Sequence, residues 1–335
     1  MMRTRSKENK KSSNKMILNI LLIVVGIVMV LKGADWLTQG GANLARRLNV
    51  PELVVGLTIV AAGTSAPELF VSLVSALKGT PDLAVGNVVG SNIMNTLLIV
   101  GVTAMFAPIA IARQTVAKDM PFTVLASVLL MTLALDTFRS LHIAGNMISR
   151  IDGILLLVGF VAFMYYTLTA ARGTDTPNAS QLTPNGSRLT TNVLLIVVGL
   201  ALLIIGSELF VGHASALATT LGVSQSVIGL TVVAGGTSLP ELATSVVAAR
   251  KGQSALAIGN VIGSNVFNIL LILGLTATVC PMQIGGITLF DMGMMVASVL
   301  LLWLFSFTKL TVARWEGAVL TTCYLVYLGW LLSQI

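Results

Sequence analysis

Long runs of apolar residues dominate the chain and alternate with short polar stretches. Each run is about 20 residues or longer, the length that an α-helix needs to cross a hydrocarbon core about 30 Å thick. The pattern therefore predicts an all-α polytopic membrane protein with ten transmembrane helices. The ten runs cover residues 17–44, 52–78, 82–106, 115–136, 150–171, 190–213, 225–250, 255–279, 287–308 and 313–333.

An internal repeat is the strongest signal in the sequence. Residues 56–101 align with residues 229–274 without a gap, at an offset of 173, and are identical at about 29 of 46 positions. The repeat predicts two halves of five spans each, and because five is odd, the halves are expected to be inverted. The predicted organisation is a basic tail at 1–16, a first half at 17–171, a polar linker at 172–189 and a second half at 190–335.

Composition and charge exclude an ordinary soluble protein and a nucleic-acid-binding protein. Only 10% of the residues are charged and 55% are hydrophobic, whereas soluble domains carry about 25% charged residues. The net charge of +7 comes from Lys and Arg in the short connections and in the tail, the usual distribution in membrane proteins. The lipid bilayer is therefore the predicted surrounding, and the cell (inner) membrane is the predicted location.

The basic residues also predict the orientation of the chain. If the N-terminus is outside, the connections facing the cytoplasm hold ten Lys or Arg residues and the opposite connections hold three. The positive-inside rule then predicts that both termini lie outside. The tail disagrees, since six Lys or Arg precede Met16. We give more weight to the ten distributed charges.

Two spans carry a predicted helix break beside a carboxylate. Proline has no amide hydrogen and its ring clashes with the preceding turn, so a helix must bend or open there. Glu68 and Glu241 follow these breaks near mid-span, where an acidic side chain costs about 2.5–3.5 kcal/mol on insertion scales. Such a cost, carried twice at equivalent positions, indicates a functional site. The predicted break residues are Gly63, Pro67, Gly236 and Pro240.

Polar side chains accompany the glutamates in both halves. Asn87, Ser91 and Asn95 recur every four residues and predict a polar stripe on one helix face, with a copy that ends at Asn268. Two interpretations of the asparagines stay open: cation binding, and helix packing through amide hydrogen bonds. Hydroxyl groups next to the breaks share a helix face with the glutamates, at Thr64, Ser65, Thr237 and Ser238.

These residues offer only oxygen ligands, because neither repeat contains a thiol or an imidazole. Oxygen sites suit hard cations, and Mg²⁺ gives up water reluctantly, so Ca²⁺ and Na⁺ are the expected ligands. They are transported substrates, and no cofactor is expected. Cys280 and Cys323 show no metal-ligand spacing, and His142 and His213 lack the partners that hydrolysis needs, so no enzyme is predicted. The predicted metal ligands are Glu68, Glu241, Thr64 and Thr237.

The GTSAPE and GTSLPE segments, together with GNVVGSN and GNVIGSN, resemble the two alpha repeats of the sodium/calcium exchangers. These exchangers belong to the cation/calcium exchanger superfamily, and the closest likeness is to calcium/sodium antiporters of the bacterial type. The resemblance covers essentially the whole chain. It implies two inverted five-helix halves around a cluster of four cation sites, with spans 1 and 6 sliding as a gating pair.

The resemblance also implies a set of cation ligands. Backbone carbonyls of Ala61 and Ala234 would join the side chains. Several family members carry Asp where this chain has Asn268, which leaves the cation stoichiometry and any potassium dependence open. The implied side-chain ligands are Thr64, Ser65, Glu68, Ser91 and Asn95 in the first half and Thr237, Ser238, Glu241, Ser264 and Asn268 in the second.

The leading hypothesis is antiport of Ca²⁺ and Na⁺ by alternating access, because both ions need the same carboxylates at mid-membrane. Calcium/proton antiport is the alternative, and a passive cation channel is the hypothesis from another class. Asp35 and Glu208 are equivalent acids late in spans 1 and 6, for which interfacial placement or an interhelical hydrogen bond is favoured over a role in an ion entry path. Asp152 and Glu316 begin spans 5 and 10, where an acid suits the helix dipole.

Overall fold

The computed structural model describes residues 2–135, 146–173, 188–222 and 234–333, and these are almost entirely helical. The helices are α1 (Met2–Leu48), α2 (Glu52–Thr64), α3 (Ala66–Leu77), α4 (Pro81–Phe106), α5 (Thr115–Ala134), α6 (Arg150–Gly173), α7 (Leu189–Thr220), α8 (Ala234–Thr237), α9 (Leu239–Arg250), α10 (Ser254–Val279), α11 (Leu289–Ser306) and α12 (Arg314–Ser333). Short strands are β1 (Ile109–Ala110), β2 (Met147–Ile148), β3 (Met282–Gln283) and β4 (Thr311–Val312).

The helices follow the predicted apolar runs closely. Within the described ranges, eight helices are long and apolar enough to cross a membrane, or nine if α2 and α3, which are bent by 46°, form one span. The predicted run 225–250 begins in residues 223–233, outside the described residues, and α8 and α9 form its remainder. His142 and most of the predicted linker at 172–189 also lie outside the described residues.

Helix α1 is longer than the apolar pattern alone predicts. It is continuous from Met2, so the basic tail 1–16 is helical where described and leads into the first span without a break. The physical reason is the absence of helix breakers, since the first glycine is Gly26 and no proline occurs before Pro51.

The core of the protein is formed by α4 and α10. In the apolar 18-residue stretches of these two helices, 78% and 94% of the residues are buried, against 17% in the corresponding stretches of α1 and α12. Helix α10 approaches α2 closely, and a Cβ atom at Gly259 would lie 2.8 Å from the carbonyl oxygen of Leu53. The outer helices expose apolar side chains such as Tyr165 in α6, which is 72% exposed. The most buried helices are thus the two that carry the predicted polar stripes.

Two small sheets join the halves of the chain in a symmetric way. Strand β1 follows α4 and pairs antiparallel with β4, which precedes α12. Strand β3 follows α10 and pairs antiparallel with β2, which precedes α6. In both cases the connection after the third span of one half pairs with the connection before the last span of the other half.

Asp152 and Glu316 form caps at the starts of α6 and α12. Asp152 Oδ2 accepts a hydrogen bond from the Ser149 amide at 2.7 Å, and Glu316 Oε2 accepts one from the Ala313 amide at 2.7 Å. Each carboxylate therefore satisfies a backbone donor at a helix N-terminus, as its sequence position predicts.

Helices α1 and α7 pack against each other through glycines. A Cβ atom at Gly33 would lie 2.6 Å from the carbonyl oxygen of Gly199, and a Cβ atom at Gly199 would lie 2.8 Å from the amide nitrogen of Leu37. A real Cβ atom does not come this close to backbone atoms, so glycine permits the contact. The two helices therefore form a tightly joined pair, the α1–α7 pair.

Gly199→Val is expected to push α1 and α7 apart. The added side chain overlaps backbone atoms that have no room to move, so the free energy of unfolding should fall by roughly 1–3 kcal/mol. Gly212→Val in the same helix is the control, because a Cβ atom at Gly212 meets nothing within 4 Å. Thermal unfolding in detergent measures both, and equal loss in the two variants would contradict the close contact.

Candidate cation-binding site

Each half of the chain contains a helix break at a serine. Ser65, with φ −83° and ψ 7°, separates α2 from α3, and Ser238, with φ −91° and ψ 8°, separates α8 from α9. Pro67 and Pro240 lie in the first turn of the helix that follows, where the missing amide hydrogen is tolerated. The breaks place Glu68 and Glu241 in the first turns of α3 and α9, where the helix dipole favours an acidic side chain. The two remaining break residues, Gly63 and Gly236, lie two positions before the serines.

The two carboxylates accept hydrogen bonds across the repeats. Ser65 Oγ of the first half donates to Glu241 Oε1 at 3.1 Å, and Ser238 Oγ of the second half donates to Glu68 Oε1 at 3.3 Å. Ser264 Oγ donates to Glu241 Oε1 as well, at 3.4 Å. Glu68 is 1% exposed and Glu241 is fully buried. The two breaks therefore form one polar centre rather than two separate ones.

The threonines beside the breaks reach the same centre. Thr64 Oγ1 donates to Asn260 Oδ1 at 3.1 Å and lies 3.4 Å from Ser264 Oγ. The hydroxyl of Thr237 lies beside the carboxylate of Glu68. Thr64 thus connects α2 to α10, so the predicted ligands of the two halves interdigitate.

Several buried polar atoms in this centre have no hydrogen-bond partner among the described residues. Glu68 and Glu241 each have one unpartnered carboxylate oxygen, and both polar atoms of the Asn268 side chain lack partners. Asn95 Oδ1 is also unpartnered, although Asn95 Nδ2 donates to Asn265 Oδ1 at 3.2 Å. An unsatisfied buried polar group costs about 1–3 kcal/mol. Oxygens left open in this way are chemically suited to a hard cation.

The helix geometry around these asparagines is unusual and was not predicted. Asn95 lies in a π-helical turn at Met94–Ile99 of α4, and Asn268 lies in another at Phe267–Leu273 of α10. A π-helical turn inserts an extra residue and changes the direction of the side chains, and such turns often occur at functional sites. Ser91, one turn earlier in α4, is buried, and its hydroxyl group makes no hydrogen bond with another described residue.

The remaining asparagines of the motifs hold helices together. Asn87 Nδ2 donates to the Glu68 carbonyl oxygen at 3.2 Å and to Ser72 Oγ at 3.0 Å. Its copy Asn260 donates to the Glu241 carbonyl oxygen at 3.4 Å and to Ser245 Oγ at 3.1 Å. The geometry matches the helix-packing interpretation, and these amides fix the backbone of the glutamates.

Asn265, the copy of Asn92, was not among the predicted site residues. Its Nδ2 donates to Thr96 Oγ1 at 2.8 Å while its Oδ1 accepts from Asn95, so it links α10 to α4. Asn92 differs, because its amide donates to the Val88 carbonyl oxygen of its own helix at 2.8 Å.

The role of the Ala61 and Ala234 backbone carbonyl oxygens as cation ligands remains a prediction. The Ala61 carbonyl oxygen accepts hydrogen bonds from the Ser65 amide at 3.0 Å and from Thr64 Oγ1 at 3.4 Å. Ala234 is the first described residue of α8. In the described part of the chain no group of three or more His, Cys, Asp or Glu residues could hold a metal ion, so the candidate site has two carboxylates supplemented by hydroxyls and amides.

Ser207 of α7 is a further residue that sequence reasoning missed. Pro240 has no amide hydrogen to offer the carbonyl oxygen of Gly236, four residues earlier, and that oxygen accepts a hydrogen bond from Ser207 Oγ. The equivalent position in the first half is Ala34, which has no hydroxyl. The repeat therefore gives no signal for Ser207, and only the packing of α7 against α8 reveals it.

Comparison with known proteins identifies the family. The model of the sodium/calcium exchanger protein family matches residues 18–169 and 191–333. The chain belongs to this family. The family resemblance inferred from the repeated motifs is confirmed, and the family is one of transporters.

Relatives of this exchanger match over most of its length. The sodium/calcium exchanger MaX1 of Methanosarcina acetivorans is 34% identical over 340 residues, covering 92% of this chain and 97% of MaX1. The inner membrane protein YrbG of Escherichia coli (strain K12) is 35% identical over 276 residues, covering 80% of this chain and 82% of YrbG. A solved structure of the sodium-calcium exchanger NCX_Mj superposes with a TM-score of 0.81 and 30% identity, covering 94% of this chain and 99% of NCX_Mj. The chain is thus a multi-pass membrane protein and a cation exchanger with the NCX_Mj fold.

Ser207→Ala is expected to destabilise the second helix break. The buried Gly236 carbonyl oxygen loses its donor, so the free energy of unfolding should fall by roughly 1–3 kcal/mol. Ser215→Ala in the same helix is the matched control, because Ser215 Oγ has no hydrogen-bond partner. Chemical unfolding in detergent measures the difference, and an equal effect of both variants would argue against this role of Ser207.

Proposed function

We propose that the chain is a secondary active antiporter that exchanges Ca²⁺ for Na⁺ at the site around Glu68 and Glu241. The observation that carries the proposal is the reciprocal arrangement of the two carboxylates, each of which accepts a hydrogen bond from the serine at the other repeat's break. The predicted cation ligands at the site are all oxygen atoms, and one oxygen of each carboxylate accepts no hydrogen bond from the described residues. The names of the related exchangers MaX1 and NCX_Mj are consistent with this substrate pair.

Coupling follows from competition for the same charges. Two carboxylates neutralise one Ca²⁺, whereas three Na⁺, the load that the family resemblance implies, leave one positive charge. Calcium and sodium cannot occupy the same oxygens together, so the occupant must leave before the other ion binds. If the site opens to one side of the membrane at a time, this competition results in exchange of the two ions. Three Na⁺ carry one more positive charge than one Ca²⁺, so transport is electrogenic.

The proposed architecture is two inverted halves of five transmembrane helices each, ten in all. The residues of the proposed cation site are those predicted from the motifs, with the carbonyl oxygens of Ala61 and Ala234 added. We place the protein in the inner membrane, in line with the name of its relative YrbG. Both termini are proposed to lie outside, because ten basic residues lie in the connections on one side and three in those on the other.

Glu68→Gln and Glu241→Gln are each expected to abolish calcium/sodium exchange while the protein still inserts. Removing either charge leaves one of the two positive charges of Ca²⁺ uncompensated where dielectric screening is weak. Sodium-driven calcium uptake into proteoliposomes is the measurement. Glu52→Gln is the control, because Glu52 begins the same broken span but lies outside the site. Near-normal exchange in either site variant would rule out the proposed site.

The same assay separates the alternatives. Replacing sodium with choline should stop calcium uptake by the wild type. Uptake that persists with choline and follows a proton gradient indicates calcium/proton antiport instead. Calcium movement that never proceeds against its own gradient indicates a passive channel.

Asn268→Asp is expected to make transport sensitive to pH or to potassium. The substitution adds a third acid one helical turn from Ser264, and crowded like charges favour uptake of a proton or of an additional monovalent cation. The wild type, which has Asn268, should show no potassium requirement. Calcium flux with and without potassium, at several pH values, measures both. A wild type that needs potassium would contradict this account of the charges.

A further inference from the structure

An ion pair joins the two halves of the chain near one end of α1. Lys251 Nζ, just after α9, lies 2.7 Å from Asp35 Oδ1 of α1. The same ammonium group donates to the Asp35 carbonyl oxygen at 2.9 Å and to Thr38 Oγ1 at 3.0 Å. The side chains of Lys251 and Asp35 are 30% and 41% exposed, so the contact lies at the surface of the protein. Three acceptors on one helix thus hold one lysine of the other half.

The internal repeat supplies a second copy of these two charges. At the offset of 173 residues, Asp35 corresponds to Glu208 of α7, and Lys251 corresponds to Lys78, just after α3. Glu208 and Lys78 are both exposed, and neither side chain makes an ion pair or a hydrogen bond with another described residue. Both halves of the sequence therefore carry an acid and a lysine at equivalent positions, whereas in the structure only Asp35 and Lys251 form an ion pair.

Helix packing has the same asymmetry. Helix α1 packs along α9, whereas α7 makes little contact with α3, the equivalent partner in the other half. The α1–α7 pair is joined tightly at its glycines and lies outside the buried core of α4 and α10. The α1–α7 pair is thus attached to the rest of the protein more firmly on the side of Lys251 than on the side of Lys78.

We propose that Asp35–Lys251 and Glu208–Lys78 are alternating ion-pair latches that position the α1–α7 pair in the two states of the transport cycle. The inference rests on the proposed function, which requires access to alternate between the two membrane surfaces. Because the halves are inverted, Lys251 and Lys78 lie at opposite surfaces. Movement of the α1–α7 pair that brings Glu208 to Lys78 takes Asp35 away from Lys251. The structure corresponds to the state latched at Lys251.

The chemistry of the latch suits a contact that forms and breaks in every cycle. A partly exposed ion pair shifts an equilibrium by at most about fivefold, because water competes for both charges. Such a bias sets the populations of the two states without trapping either one. A fully buried pair would be much harder to separate.

The proposal is tested by cross-linking the unpaired set. Glu208→Cys and Lys78→Cys are combined in a protein in which Cys280 and Cys323 are replaced by alanine. A short bifunctional methanethiosulfonate reagent is used, because a Lys–Glu pair spans more than a disulfide can bridge. We expect this pair to cross-link, and we expect the rate to rise about fivefold when Asp35→Asn or Lys251→Gln is added to release the other latch.

Lys32→Gln is the matched control, because it removes an exposed charge from the same helix as Asp35 without breaking an ion pair with a described residue. It should leave the cross-linking rate unchanged. A Glu208–Lys78 cysteine pair that never cross-links overturns the proposal, as does a rate that Asp35→Asn and Lys251→Gln do not raise. So does a control that raises the rate equally.

Cross-linking does not require transport, so failure of the latch and failure of the proposed function are distinguishable. If the wild type shows no sodium-driven calcium uptake, the proposed function is wrong whatever the cross-linking rates are. If uptake is normal, cross-linking at positions 208 and 78 should stop it and a reducing agent should restore it. Uptake that continues in fully cross-linked protein contradicts the alternation.

Discussion

The structure depends on keeping Glu68 and Glu241 buried together in a protein built to cross a membrane. A charged side chain in such a place is expensive unless the protein itself supplies polar partners. Here the partners come from both repeats, because Ser65 donates to Glu241 and Ser238 donates to Glu68. Neither half completes the site alone. The polar centre therefore holds the two halves together.

This constraint explains why the most buried helices are also polar. Helices α4 and α10 occupy the core, yet they carry the asparagines and serines of the motifs. Their amides fix the backbone beside the glutamates, and their π-helical turns place Asn95 and Asn268 in the same region. The outer helices need no such groups, so their lipid-facing surfaces are apolar. Polar side chains are thus concentrated in the buried core, away from the lipid-facing surfaces.

The α1–α7 pair stands in contrast to this centre. Its helices contact each other through glycines, and its attachments to the rest of the protein include the Lys251 ion pair, the Ser207 hydrogen bond and packing that favours one end. The core is therefore joined by reciprocal contacts between the halves, whereas the outer pair is attached asymmetrically.

The sequence by itself determined the spans, the repeat and the chemical type of the site. The length of each hydrophobic run matches the thickness of a bilayer, so the spans can be located from the sequence. The helix breaks and the acidic side chains beside them can be located as well, because they are properties of single residues: Pro67 and Glu68, and their copies Pro240 and Glu241. Only the tertiary structure decided which half serves which carboxylate, where the π-helical turns occur, that Ser207 satisfies Gly236, and that Lys251 rather than Lys78 is paired. The physical reason is that a repeated sequence is nearly symmetric, whereas contacts between distant segments depend on how the two copies pack in one particular state.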